Sequence, residues 1–246
     1  MTRGDKLFLG LTGNLEANFN KLHIYIDSES GGENTIAPAG VFPDSDGFRN
    51  GSNGLTFDSA FSPDHLLIIR RGGTDFDVDY VRLGAIVANG AGPIIVNDIT
   101  GTPSGDTGSG VFGGRNVELT VAYNDSNMAG IGGNQGAAAD QNAALAVTTG
   151  LELSINLAAL AVDQNTEFKI SVMQNNQAHN FLSNQLLGGL PVGTNNLGGD
   201  GASGFTGNLG GVDLNQFAGD QFFTVPTPGA AAVLGLGGLA AARRRR

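Results

Sequence analysis

The chain has 246 residues, 40 of them Gly, no Cys, and a formal net charge of −10. Without Cys there is no disulfide framework, no thiolate nucleophile and no Cys-based zinc site. Removing the four terminal Arg leaves 9 basic against 23 acidic residues, a net charge near −14, which excludes nucleic acid as a partner because its binding depends on Lys and Arg displacing counterions from phosphates.

The first residues, MTRGDKLFLGLTGNL, hold a short apolar patch rather than the ~7–15-residue apolar core of a secretory signal. For an exported chain this reads as a signal already removed or a start placed too far downstream, and we prefer the second because Lys6 begins a strand with no lead-in. Arg3-Gly4-Asp5 at this end is not read as an adhesion motif. KLFLGLT (6–12) and KLHIYID (21–27) alternate apolar and polar residues and are joined by a turn-rich link, which predicts a hairpin with one buried face made by Leu22, Ile24 and Ile26. From 28 to 63 the alternation dissolves into turn chemistry, with Phe42, Phe48 and Leu55 available to pin a long loop to the core.

Strands resume at 65–71 (HLLIIRR), 76–84 (FDVDYVRLG) and 93–99 (PIIVNDI), and Gly72-Gly73 marks a tight turn between the first two. A Gly/Ser/Thr-rich loop is expected over 101–114, then an alternating strand at 115–124. Residues 137–147 have helix-forming composition. A strand followed by a short helical turn is expected over 150–160, a further strand over 166–175, a Gly-rich irregular stretch over 187–220 and a closing strand over 221–225. Short strands separated by turn signals, without helices between them, predict one all-β domain, an antiparallel sandwich over 1–221 with long Gly-rich loops.

The last 22 residues, VPTPGAAAVLGLGGLAAARRRR, have a different composition: a Pro-containing tetrapeptide, an uncharged stretch of 14 residues from Gly229 to Ala242, then Arg243, Arg244, Arg245 and Arg246. Fourteen residues fall short of the ~20 that a spanning helix needs. Counting from Phe222 and letting the Arg side chains snorkel brings the segment close to that length, so 222–246 reads as a sorting tail with a short hydrophobic transmembrane helix, its Arg cluster held by anionic headgroups.

This order of parts resembles the PEP-CTERM sorting tail, whose usual Val-Pro-Glu-Pro reads Val225-Pro226-Thr227-Pro228 here, followed by Gly229. The resemblance implies recognition by an exosortase, transient anchoring in the inner membrane, and delivery of the ectodomain to the cell surface or extracellular matrix. Over 6–12 and 21–33 the chain also resembles the paired strands of DOMON-like and family-nine carbohydrate-binding sandwiches, a jelly-roll type of architecture. LELSINLAAL is similar to a later strand of theirs, with Asn156 where Pro is usual. GLTFD (54–58) and NFLSNQLLGGLPVGTNNLGGDG (180–201) resemble segments of planctomycete PEP-CTERM proteins.

Candidate sites are sparse. Asp27, Glu29, Asp44 and Asp46 sit at a strand end and in the loop after it, and carboxylates beside Gly-rich loops are oxygen donors suited to calcium, the one cofactor this sequence invites. The other reading makes Asp44 and Asp46 ordinary turn formers, with Asp77 and Asp79 on a solvated strand face while Phe76, Val78 and Tyr80 point to the core. Extracellular polysaccharide is a second candidate partner, through loops 28–53 and 101–115, although there is no Trp and the three Tyr fall within strands. His23, His65 and His179 are far apart in the sequence with no metal-ligand spacing, and GSGVFG (108–113) lacks the helix that a phosphate-binding GxGxxG requires. Two carboxylates could pair for glycoside hydrolysis, but no motif points to catalysis, and the ectodomain is read as non-enzymatic.

Overall fold

The computed structural model describes residues 1–13, 15–72, 75–96, 105–124, 126, 146–198 and 206–226. These form an all-β antiparallel sandwich, as the alternation and turn spacing predict. One sheet has the order β1 (Thr2–Arg3), β2 (Lys6–Thr12), β9 (Gly150–Asn156), β8 (Arg115–Tyr123), β7 (Asp106–Phe112). The other runs β11 (Leu182–Leu186), β10 (Phe168–Asn175), β3 (Asn18–Asp27), β4 (His65–Gly72), β5 (Asp75–Arg82), β6 (Ala91–Ile95), with β12 (Phe223–Val225) also on β10.

The first expected hairpin does not form. β2 pairs with β9, whereas β3 pairs with β4 and β10, so the link after Thr12 crosses from one sheet to the other. Leu22, Ile24 and Ile26 do face the space between the sheets, packed with Leu67, Ile69, Val78, Leu119, Val121 and Leu153. The loop expected over 101–114 contains a full strand, β7, in register with β8 from Asp106↔Val121 to Phe112↔Arg115. Its glycines have a packing reason, since a Cβ on Gly108 would come within 2.5 Å of the Ile94 side chain on β6. That close approach shuts one side of the sandwich. The strand expected over 93–99 is seen as Ala91–Ile95. The helix expected over 137–147 falls almost wholly outside the described residues, as does the tail helix over 229–242.

The second sheet is buried on both faces. Leu67 and Ile69 of β4 point inward, while Leu66 and Ile68 point outward into a second cluster with Tyr25, Ile36, Phe48, Leu55, Phe57, Phe61 and Leu214. This explains why HLLIIRR reads as a continuous apolar run rather than an alternation. The outer layer consists of residues 28–63, with the short helix α1 (Phe48–Ser52), and parts of 181–217. Phe48 and Leu55, each 0% exposed, pin it as expected. The closing strand moves the domain boundary. Phe222 stacks on Phe61 and Phe223–Val225 pairs with Phe168–Ile170, so 222–225 belong to the sandwich and not to the tail.

Candidate functional site

Because successive residues of a strand face opposite sides, the positions of β3 between its core leucine and isoleucines put Lys21, His23 and Tyr25 on the outward face, beneath the loop layer. All three are buried, with Lys21 at 3% and the other two at 0% exposure. The histidines, distant in sequence, converge: His23 Nε2 lies 2.9 Å from His179 Nδ1 with the rings stacked, and His23 Nδ1 is 3.2 Å from Tyr25 Oη. His179 Nε2 lies 3.2 Å from Asp46 Oδ2, which Lys21 Nζ also approaches at 2.8 Å.

One direction of hydrogen bonding satisfies this chain when both imidazoles are neutral. Ionised Asp46 can only accept, so His179 donates from Nε2 and accepts at Nδ1; His23 then donates from Nε2 and accepts the Tyr25 hydroxyl at Nδ1. Burial pushes His23 well below the ordinary imidazole range, and His179 and Lys21 add to the effect. Burial opposes ionisation of Asp46, but hydrogen bonds from His179 and Lys21 and the charge of Arg70 outweigh it and hold the carboxylate well below its usual range.

Asp79 is not on a solvated face. It is 1% exposed, paired to Arg70 Nη1 at 2.6 Å and bonded by Ser45 Oγ at 2.8 Å. The long loop covers that face of β5, and Arg70, shared with Asp77 at 3.2 Å, compensates the buried charge. Phe76, Val78 and Tyr80 do face the core.

The four candidate calcium ligands are not brought together. Asp46 sits against Lys21 near one end of β3, and Asp27 closes the other, roughly 20 Å away at ~3.3 Å per residue. Asp27 meets Lys169 and accepts the Ser62 N–H, and Asp44 accepts the Arg49 N–H. Glu29 is gripped by both terminal nitrogens of Arg115, at 2.6 and 2.7 Å, and by Arg82 at 3.1 Å. Arg115, with His65 and Arg82, holds it well below the usual carboxylate range. Among the described residues no three His, Asp or Glu side chains converge as a metal site would require.

Asp64, 3% exposed, accepts the N–H groups of Ser28 and Glu29 at 2.9 and 2.7 Å. Burial, reinforced by the carboxylates of Asp27 and Glu29, pushes it up to about 6 against those two bonds. A folded-state value above the unfolded one, about 3.9, means stability that is complete below about pH 4 and is lost as pH rises through 6. Glu29 and Asp46 act in the opposite sense, adding stability above about pH 4 that is lost as pH falls through their lowered values. Chemical denaturation across pH should therefore show a decline between about pH 4 and 6.5 on the order of 2–3 kcal/mol from Asp64 alone. Asp64→Asn, whose amide oxygen can still accept both bonds, should flatten it; an unaltered slope in that variant would show that other groups cause the decline.

Sequence reasoning found the buried tyrosines, Tyr25, Tyr80 and Tyr123, at 0%, 0% and 2% exposure, but missed the His23–His179 pair. The one local signal was Lys21, His23 and Tyr25 at every second position of a strand whose alternate face is apolar. Its partner 156 residues away is invisible without the fold. No family model, curated protein or solved structure matches the chain.

Proposed function

We propose that this is an exported surface or matrix protein, sorted by an exosortase through its C-terminal tail, with a sandwich that performs no catalysis. The tail's order of parts carries the reading: Val225 to Gly229 as the recognition segment, the uncharged stretch, and Arg243 to Arg246 as the membrane stop. Thr227 to Arg246 lie outside the described residues, and among those described no helix is long and apolar enough to cross a membrane. The junction adds support. β12 ends on Val225, which is 7% exposed and in register with Phe168, and Pro226, having no N–H, cannot extend the ladder. The fold is thus complete where the motif begins, and a membrane protease could reach the tail without opening a sheet.

Expressed behind a signal peptide in an exosortase-positive host, the chain should lose its C-terminus. Replacing Arg243 to Arg246 with Ser should leave uncleaved precursor or misdirect it. Intact tails on surface protein, read by mass spectrometry, would sink the proposal.

A cleft of about 240 Å³ favours a second reading, as a polysaccharide-binding module. It lies between 194–198 and 211–217, outside the loops expected from sequence, and Asn195, Asn196, Gln216, Leu197 and Phe217 are among the residues that line it. Amides match sugar hydroxyls and an aromatic ring matches a sugar's C–H face. The volume is below the ~300–1,000 Å³ of drug-sized sites, so it suits one ring rather than a long chain. Gel retardation by neutral glucans, weakened by Phe217→Ala, would support it; mobility equal to that of a control protein would not.

A further inference from the structure

We propose that the Tyr25–His23–His179–Asp46 chain is a proton-operated latch, in which a second added proton separates His23 from His179 and frees the segment around α1 from the sheet. The first proton can be taken without moving a heavy atom. His179 becomes doubly protonated, donating to Asp46 from Nε2 and to His23 Nε2 from Nδ1, while His23 shifts its own proton to Nδ1 and donates to Tyr25 Oη. The distances of 3.2, 2.9 and 3.2 Å suit either direction. A second proton leaves no such option, because two N–H donors on two cations would face each other across 2.9 Å in a site with His179 at 2% exposure and His23 at 0%.

The surroundings reinforce this. Lys21 and Arg70 bring positive charge to Asp46, while Asp77 and Asp79 are engaged by Arg70. Asp44 is the remaining carboxylate that senses His179. The strand neighbours opposite His23, Met173 and Ile68, offer no charge.

What the pair holds in place is also on the page. The Ser52 hydroxyl of α1 donates to the His179 carbonyl at 3.0 Å, and Gly51 lies so close that a Cβ there would come within 2.1 Å of the Ala178 carbonyl. Both residues at the outer end of the chain have left-handed backbones, Asp46 at φ 55° and His179 at φ 59°, conformations disfavoured outside Gly. Breaking the contact therefore releases strain on both sides.

The test uses the full chain. Imidazole ¹⁵N–¹H correlation spectra from pH 8 to 4.5 should show a His23 tautomer change, followed at lower pH by a doubly protonated His23. Over that second step amide exchange in 47–53, corrected for intrinsic rates, should accelerate at least about tenfold while Leu66 to Ile69 of β4 stay protected. His23→Gln, which keeps a donor toward His179 but takes no proton, should abolish the acceleration. The latch is overturned by opening with His23 still neutral, by an equal acceleration in the Gln variant, by pH-independent exchange, or by simultaneous loss of β4 protection. Should the variant not fold, the wild-type spectra and the β4 reference decide alone.

Discussion

Arg49→Ala should cost about 3–5 kcal/mol, the usual loss when one partner of a buried ion pair is removed. Arg49 is 0% exposed and Glu33 is 6% exposed. Arg49 donates to both Glu33 oxygens, at 2.8 and 2.6 Å, and also to the carbonyls of Pro43 and Ala37. Glu33 accepts in addition the N–H groups of Ala37 and Gly84. Burial works against the Glu33 charge, and Arg49 with those two N–H groups more than offsets it. Truncation leaves that carboxylate buried with its main counter-charge gone, and at the same time removes the clamp between residues 33–49 and the strand end at Gly84. Urea denaturation of Arg49→Ala against wild type measures the loss. A double variant, Arg49→Met with Glu33→Gln, should recover a substantial part of it, since no buried charge is then unpaired. A loss below about 1 kcal/mol for Arg49→Ala would mean that the loop layer relaxes around Glu33 and that the pair does not hold it.

Nothing in the sequence pairs Arg49 with Glu33, since they sit 16 residues apart in a stretch of turns. What could be read there was the periodicity of the strands, because alternation is local. Partner choice is not, and KLFLGLT and KLHIYID have the same pattern whether they pair with each other or with β9 and β4. β7 was hidden for another reason. Gly108 and Gly110 are read as loop residues, yet Gly108 is needed because β6 passes too close for a side chain. The polar site was misread because an Asp on alternate strand positions normally faces water. Here a loop layer anchored by Phe48 and Leu55 covers that face, and Asp79 is solvated by Arg70 and Ser45 instead.

Phe61→Ala is the other substitution expected to cost about 3–5 kcal/mol, as buried Phe truncations do. Phe61, 1% exposed, is a link in a series of rings from the sheet to the end of the fold. Tyr25 meets Phe57 at 4.8 Å, Phe57 meets Phe61 at 5.5 Å, and Phe61 stacks on Phe222 at 5.4 Å. Phe222 immediately precedes β12, whose three residues share the outer edge of β10 with β11. So short a strand is held more by the packing at its start than by its own ladder. Phe61→Ala should therefore lower global stability and, before global unfolding, speed amide exchange and proteolysis at 223–225. Phe223→Ala, at a residue 54% exposed, is the matched control and should stay within about 0.5 kcal/mol of wild type. If Phe61→Ala destabilised the protein but left exchange at 223–225 unchanged, β12 would be held by β10 alone. If both change together, the ring series keeps the sandwich closed up to Val225 and confines a protease acting at the junction to the tail.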